Sequence, residues 1–271
     1  MSEAKRKQRR KEAFLKQHPY CCYCGGTTPA TTVDHVPSIQ MFSLRRRPKG
    51  LEVPACEDCN QGTRQHEQAA AMLGRVYSDG PTEAERHETK RIMRAVNTNI
   101  PGLLEEIWPS PEQEARASVT RPSLPGTAGA LNCTGPLLNR SVQIFGAKLG
   151  FALHYSTSGR IIPQAGGVAV IWYSNYDAVT ERIPAELLQI LGDPQTLRQG
   201  RWNAGDQFSY CDAAAEGGKM VMYFSTFRKS FAVASLVNED MSGFDGIKEN
   251  AQAVHRKGCF RKVSLQEPPT P

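Results

Sequence analysis

The residue types that could do chemistry crowd into residues 21 to 60. Cys21-x-x-Cys24 is followed by Gly25-Gly26, and Cys56-x-x-Cys59 is followed directly by Asn60. Between the two pairs stands Asp34-His35, in "TTVDHVPS". A two-residue gap aims both sulfurs of a pair at one point, so each CxxC is either a redox dithiol or half of a metal knot. Small residues after the second cysteine let backbone amides turn toward the thiolates. Two such pairs predict a four-thiolate structural zinc on Cys21, Cys24, Cys56 and Cys59, although the intervening segment is longer than the common spacing. Cys22 lies between the ligands of the first pair and is expected to point away as a packed bystander. Asp34-His35 before Pro37 reads by itself as either an ordinary turn or a carboxylate beside a base.

Asn60 tips that balance. The order C-x-x-C, D-H, C-x-x-C-N, carried by "YCCYCGG", "TTVDHVPS" and "LEVPACEDCNQGT", resembles the zinc-stapled members of the HNH endonuclease family, in particular a bacterial and phage-associated subgroup. The resemblance covers roughly residues 18 to 70. It implies a ββα-metal fold, a β-hairpin bearing Asp-His packed against a helix bearing the last motif residue. It also implies a divalent cation, Mg2+ or Mn2+, held by the oxygens of Asp34 and Asn60 at a scissile phosphate. His35 would take a proton from the attacking water, and the products would carry a 5′ phosphate and a 3′ hydroxyl. Arg64, one turn past Asn60, is a candidate for steadying the phosphate. Counting 100° per residue along one continuous helix, His66 falls on the wrong face for a ligand, and Glu67 is placed to act only behind the ligands. One departure stands out. The family's middle Asn, which bonds backbone across the hairpin loop, has Leu51 or Lys49 at its place here, so something else must hold that loop.

These residues need elements to position them. Residues 4 to 17 predict a charged helix ended by Pro19, and residues 20 to 62 a turn-rich segment with short strands at "TTVDHV" and "LEVPA". Helix is expected from about Cys59 through Val76, and again after a Thr82/Glu85 capping box. Residues 108–136, rich in Pro, Ser, Thr, Gly and Ala, read as a linker or irregular connection. Beyond them, "LLNRSVQIFGAKLGFALHYST" predicts an amphipathic helix, "GGVAVIWYSN" a buried strand and "PAELLQILG" a short helix. Strands are expected at "DQFSYCDA", "KMVMYFSTF" and "SFAVASLVN". The expected fold is therefore α+β. Residues 1–107 form an HNH module with its zinc site and basic N-terminal helix, and residues 137–265 an α+β accessory domain with a mostly antiparallel sheet.

Charge suggests the partner. The 271-residue chain carries a net charge of +6, concentrated in Lys5, Arg6, Lys7, Arg9, Arg10 and Lys11 and in Arg45, Arg46, Arg47 and Lys49. Both clusters flank the Cys/Asp-His segment, as a surface for the nucleic-acid backbone would. Double-stranded DNA is the expected partner, and a homodimer or an activating partner is left open. No apolar run reaches the length of a membrane span. The basic N-terminal stretch lacks the apolar core of a secretory signal, so the expected compartment is the cytoplasm, where paired cysteines favour metal over disulfides. Cys133, Cys211 and Cys259 are isolated thiols. His18, His87 and His154 read as structural, and His255 with Cys259 as a zinc half-site lacking its mate. Besides a DNA-cleaving HNH hydrolase, two readings remain. One is a zinc-stapled DNA-binding module that does not cut. The other is a phage-defence nuclease licensed by its C-terminal domain.

Overall fold

The computed structural model describes residues 2–76, 81–112, 131–244 and 253–256. Helix α1 (Glu3–Gln17) starts at an N-cap serine, Ser2, whose hydroxyl accepts from the Lys5 amide. It carries seven cations against two carboxylates and buries no residue. Its C-terminal end is pinned instead by aromatic contacts. Phe14 lies against the His18 ring, and His18 Nδ1 is 2.7 Å from the Tyr155 hydroxyl.

Strands β1 (Thr32–His35) and β2 (Glu52–Ala55) form an antiparallel hairpin in which Asp34 faces Val53 and His35 faces Glu52. Period-2 alternation then sends Asp34 inward and His35 outward, and Asp34 is buried while His35 is exposed. Two short helices follow, α2 (Glu57–Gly62) and α3 (Arg64–Leu73). The sequence predicts a single helix here. It is interrupted at Thr63, which sits between the two helices at φ/ψ of −101°/−2°. Helix α4 (Glu83–Asn99) opens with the expected capping box between Thr82 and Glu85, and α5 (Leu103–Ile107) ends the first half. The connection expected over 108–136 lies for its larger part outside the described residues.

Helix α6 (Pro136–Ser158) is the spine. Glu106 of α5 accepts the amides of Leu137 and Leu138, supplying negative charge at the helix N-terminus. The expected amphipathic pattern does not hold, because every residue from Ser141 to His154 is buried. The physical reason is a double cover. One side of α6 packs on α3, the other on the sheet. A Cβ on Gly146 would come within 2.7 Å of Val170 and Val233, and one on Gly150 within 2.8 Å of Ser235, so these glycines allow the helix to approach the sheet. Lys148 lies about 200° round from both, facing α3 and the hairpin.

The sheet has the order β6-β7-β8-β3-β9, with every pairing antiparallel. Its members are β3 (Gly167–Ser174), β6 (Ser209–Ala214), β7 (Met220–Phe227), β8 (Phe231–Asn238) and β9 (Ala253–Arg256). Four of these fall where strands were expected, and β9 was not anticipated. Further short elements are α7 (Asn175–Val179), α8 (Ala185–Gln189), 3-10 turns (Ile39–Met41, Ser43–Arg45 and Met241–Phe244) and a two-residue ribbon, β4 (Arg198–Gln199) with β5 (Trp202–Asn203). The chain is thus α+β with antiparallel sheets; the larger hydrophobic cluster runs from the cysteines through α3 and α6 to the large sheet, and a smaller one gathers at Phe224, Ala232 and Ala234. Among the described residues no helix is long and apolar enough to cross a membrane.

Candidate metal centre and adjoining hairpin

The four predicted cysteines converge. Cys21, Cys24, Cys56 and Cys59 are buried, with their sulfurs all within 4.8 Å of one another. Cys24 Sγ is 3.8 Å from Cys56 and 3.4 Å from Cys59. A disulfide needs about 2.05 Å, whereas four thiolates around a tetrahedral zinc at about 2.3 Å stand about 3.8 Å apart. The thiols therefore fit a metal ion such as zinc. Their electrostatics agree. Bonded to Cys21 and Cys59, Cys24 is pulled far below the ordinary thiol range, while Cys21 and Cys59 are pushed up. Four crowded thiols cannot all ionise unless a cation joins them. Cys22 is buried apart from the four. Its amide bonds the Pro54 carbonyl, which ties the knuckle to β2.

Tyr23, wholly buried between the first two ligands, reaches from the knuckle to the hairpin. Its hydroxyl donates to Asp34 Oδ2 over 2.9 Å. The same oxygen lies 2.8 Å from Lys148 Nζ of α6, and Lys148 also pairs with Glu67 of α3. The Thr63 hydroxyl donates to Glu67 over 2.9 Å. Lys148, Asp34 and Glu67 are 1%, 5% and 8% exposed, so this charged triad is sealed from water. Burial by itself lowers an ammonium's pKa, but the facing Glu67 and Asp34 carboxylates outweigh it and hold Lys148 above its ordinary value. Burial likewise pushes Glu67 up against the opposing pull of Lys148.

His35 occupies the other side of β1. Its Nδ1 is 3.8 Å from Glu52, directly opposite in register. Partial burial and the Arg47 charge push its pKa below the ordinary value, with Glu52 and Asp34 pulling back. The ring is therefore neutral at pH 7. Helix α1 packs beside β1, bringing Lys7 close enough to add to the lowering.

The remaining predicted residues separate. Asn60 is half-buried, and its amide nitrogen donates to Thr32 over 3.3 Å. Arg64 is exposed at the start of α3. His66 turns away into the interior, its Nδ1 3.3 Å from the Ser141 hydroxyl of α6. Lys5, Arg6, Arg9 and Arg10 on α1, and Arg45, Arg46 and Lys49 on the loop, are exposed. Arg47 is different. Its guanidinium donates to the carbonyls of Val36, Pro37, Pro48 and Gly50, bridging the loop between the strands. That loop holds Leu44, Arg45 and Leu51 at φ of 53°, 55° and 48°, which costs roughly 1–3 kcal/mol per residue. Arg47 helps to offset that strain. It bridges the hairpin loop, which the sequence left without an assigned support.

Sequence reasoning overlooked Tyr23 and Lys148 as well. Lys148 had a signal, being the single charge within "SVQIFGAKLGFALHY". An ammonium in the middle of so apolar a helix must find buried carboxylates. Comparison with family models, with curated proteins and with solved structures finds no match.

Proposed function

We propose that this protein binds nucleic acid along the basic face of α1 and the hairpin loop, and hydrolyses its phosphodiester bonds with His35 as the base. The observation that carries the reading is the placement of His35. It is a neutral, accessible imidazole on a thiol-stapled hairpin, beside a helix of seven cations. That combination supports the HNH-like reading drawn from the motif order, with zinc as the metal of the four thiols.

The chain's residues would act as follows. Exposed cations of α1 and of the loop hold the phosphate backbone through sequence-independent contacts. His35 accepts a proton as the water oxygen attacks phosphorus. The bond from phosphorus to the 3′ oxygen then breaks, and that oxygen takes up a proton from solvent, leaving a 5′ phosphate and a 3′ hydroxyl. Exposed Arg64, at the start of α3, is the candidate for countering charge on the phosphate. The divalent cation implied by the resemblance fits the residues present poorly. The Asp34 Oδ2 oxygen accepts from Lys148 and Tyr23 in a buried setting, so the negative charge a cation would meet there is already countered. No step is assigned to it. Zinc, by contrast, suits the four thiols as a structural ion.

A second reading, a stapled module that binds DNA without cutting it, draws on the Asp34–Lys148 pair, since a carboxylate engaged this way is withdrawn from chemistry. A plasmid nicking assay with Mg2+ or Mn2+ and a chelator control, run beside a binding titration across salt, separates the two. Nicking by the wild type that falls at least about 100-fold in His35→Ala, with binding retained, is the expected result. Binding without nicking selects the second reading, and absence of both binding and nicking overturns the two together.

A further inference from the structure

Resting on the HNH-like reading, we propose that Lys148 is a built-in cation that takes the place of a divalent metal ion on Asp34. The hairpin then holds this carboxylate as a buried anchor and binds no divalent cation through it. The first ground is geometric. Lys148 Nζ stands 2.8 Å from Asp34 Oδ2, and the Tyr23 hydroxyl occupies the same oxygen at 2.9 Å. Glu67, the other carboxylate within reach, is bonded by Lys148 and Thr63. One oxygen of each acid, Asp34 Oδ2 and Glu67 Oε1, is therefore committed to donors of the chain itself.

The second ground is room and hydration. Mg2+ keeps several waters and near-octahedral oxygen geometry. A cluster whose three charged members are each under 10% exposed gives those waters no place. The third ground is that Lys148 has nowhere else to go. It projects from the face of α6 opposite Gly146 and Gly150, which are locked against Val170, Val233 and Ser235. The Tyr23 ring, 5.8 Å from Nζ, borders it on the knuckle side. An ammonium displaced from Asp34 by an incoming metal would keep Glu67 as its partner but would face a second cation across the same buried cluster.

Charge completes the argument. Two carboxylates and one ammonium leave the cluster at −1, whereas a divalent cation added to the intact triad would leave it at +1 in a dry interior. An ammonium held by the fold does the electrostatic work of a metal without drawing on metal in solution. Chemistry on the exposed face of β1 is thereby separated from the buried face. His35 is available to substrate, and Asp34 serves to fix the strand that carries it.

The test uses zinc-loaded protein and Mn2+ as the probe, read by electron paramagnetic resonance and by paramagnetic broadening of the Val33, Asp34 and His35 amides. Wild type and Asp34→Asn should show the same Mn2+ binding within twofold, with those amides unbroadened, while Lys148→Ala, which removes the ammonium and opens space beside both carboxylates, should gain a Mn2+ site. Wild-type protein holding one Mn2+ that broadens these amides and weakens at least tenfold in Asp34→Asn would overturn the proposal. So would a folded Lys148→Ala that gains nothing. If either variant fails to fold, the wild-type amide spectrum decides by itself. Nucleic-acid binding and nicking are measured on the same samples. Unbroadened amides in a protein that neither binds nor cuts DNA would sink the functional reading and leave Lys148 in its role. Nicking supported by Mn2+ on Asp34 would do the reverse.

Discussion

Tyr23 and Asp34 meet at 2.9 Å, and this one hydrogen bond joins the cysteine knuckle to the strand that carries His35. Tyr23 sits between two zinc-ligand candidates in sequence, and Asp34 sits next to the candidate base. Lys148 then extends the same chain of contacts to α6, which lies on the large sheet. Cysteine knuckle, hairpin and C-terminal sheet are therefore linked by direct contacts through Asp34, next to His35.

That linkage predicts an unequal pair of stability losses. Tyr23→Phe removes one donor from a buried carboxylate and should cost about 1–3 kcal/mol. Lys148→Met leaves two buried carboxylates facing each other and should cost about 3–5 kcal/mol. Urea denaturation of each variant measures the difference. Equal losses would mean that the ammonium is not the main support of the triad.

The two kinds of cysteine should part company on metal analysis. Cys56→Ser should lose zinc and, with it, the protease resistance of the hairpin and α2, since structural zinc contributes folding energy directly. Cys22→Ser, altered at a buried site apart from the four, should keep about one zinc per chain and suffer only a packing penalty of about 1 kcal/mol. Zinc retained in Cys56→Ser at the wild-type level would remove that sulfur from the ligand set.

His154 gives the protein an acid limit. It is buried on α6, and burial, helped by Arg160, pushes it down to about 4. In the unfolded chain it takes up a proton near pH 6.5. The folded state therefore binds fewer protons between these values, and the His154 contribution is full above about pH 6.5 and lost as pH falls toward 4. Between pH 7 and 4.5 the wild type should lose roughly 2–3 kcal/mol that His154→Leu does not lose. Parallel urea midpoints for the two proteins across that range would contradict this.

Much of the architecture is legible in the chain because its signals are local. The CxxC pairs, the Thr82/Glu85 box and the apolar runs of β3, β7 and β8 each lie within a few residues, where spacing dictates geometry. Alternation along β1 likewise determined that Asp34 and His35 point to opposite sides. What alternation could not say is which side faces the interior. The packing of α6 decided that, and it turned Asp34 from an expected ligand for a cation in solution into the partner of a buried lysine. The interruption at Thr63 and the role of Arg47 were beyond local reading for the same reason. Arg47 depends on carbonyls from both sides of the hairpin loop, and Thr63 lies where its hydroxyl meets the Glu67 that pairs with Lys148. The sequence by itself determined which residues could do chemistry. Only the tertiary structure decided which were left facing solvent to do it, because the cost of burying a charge is set by the partners that packing delivers.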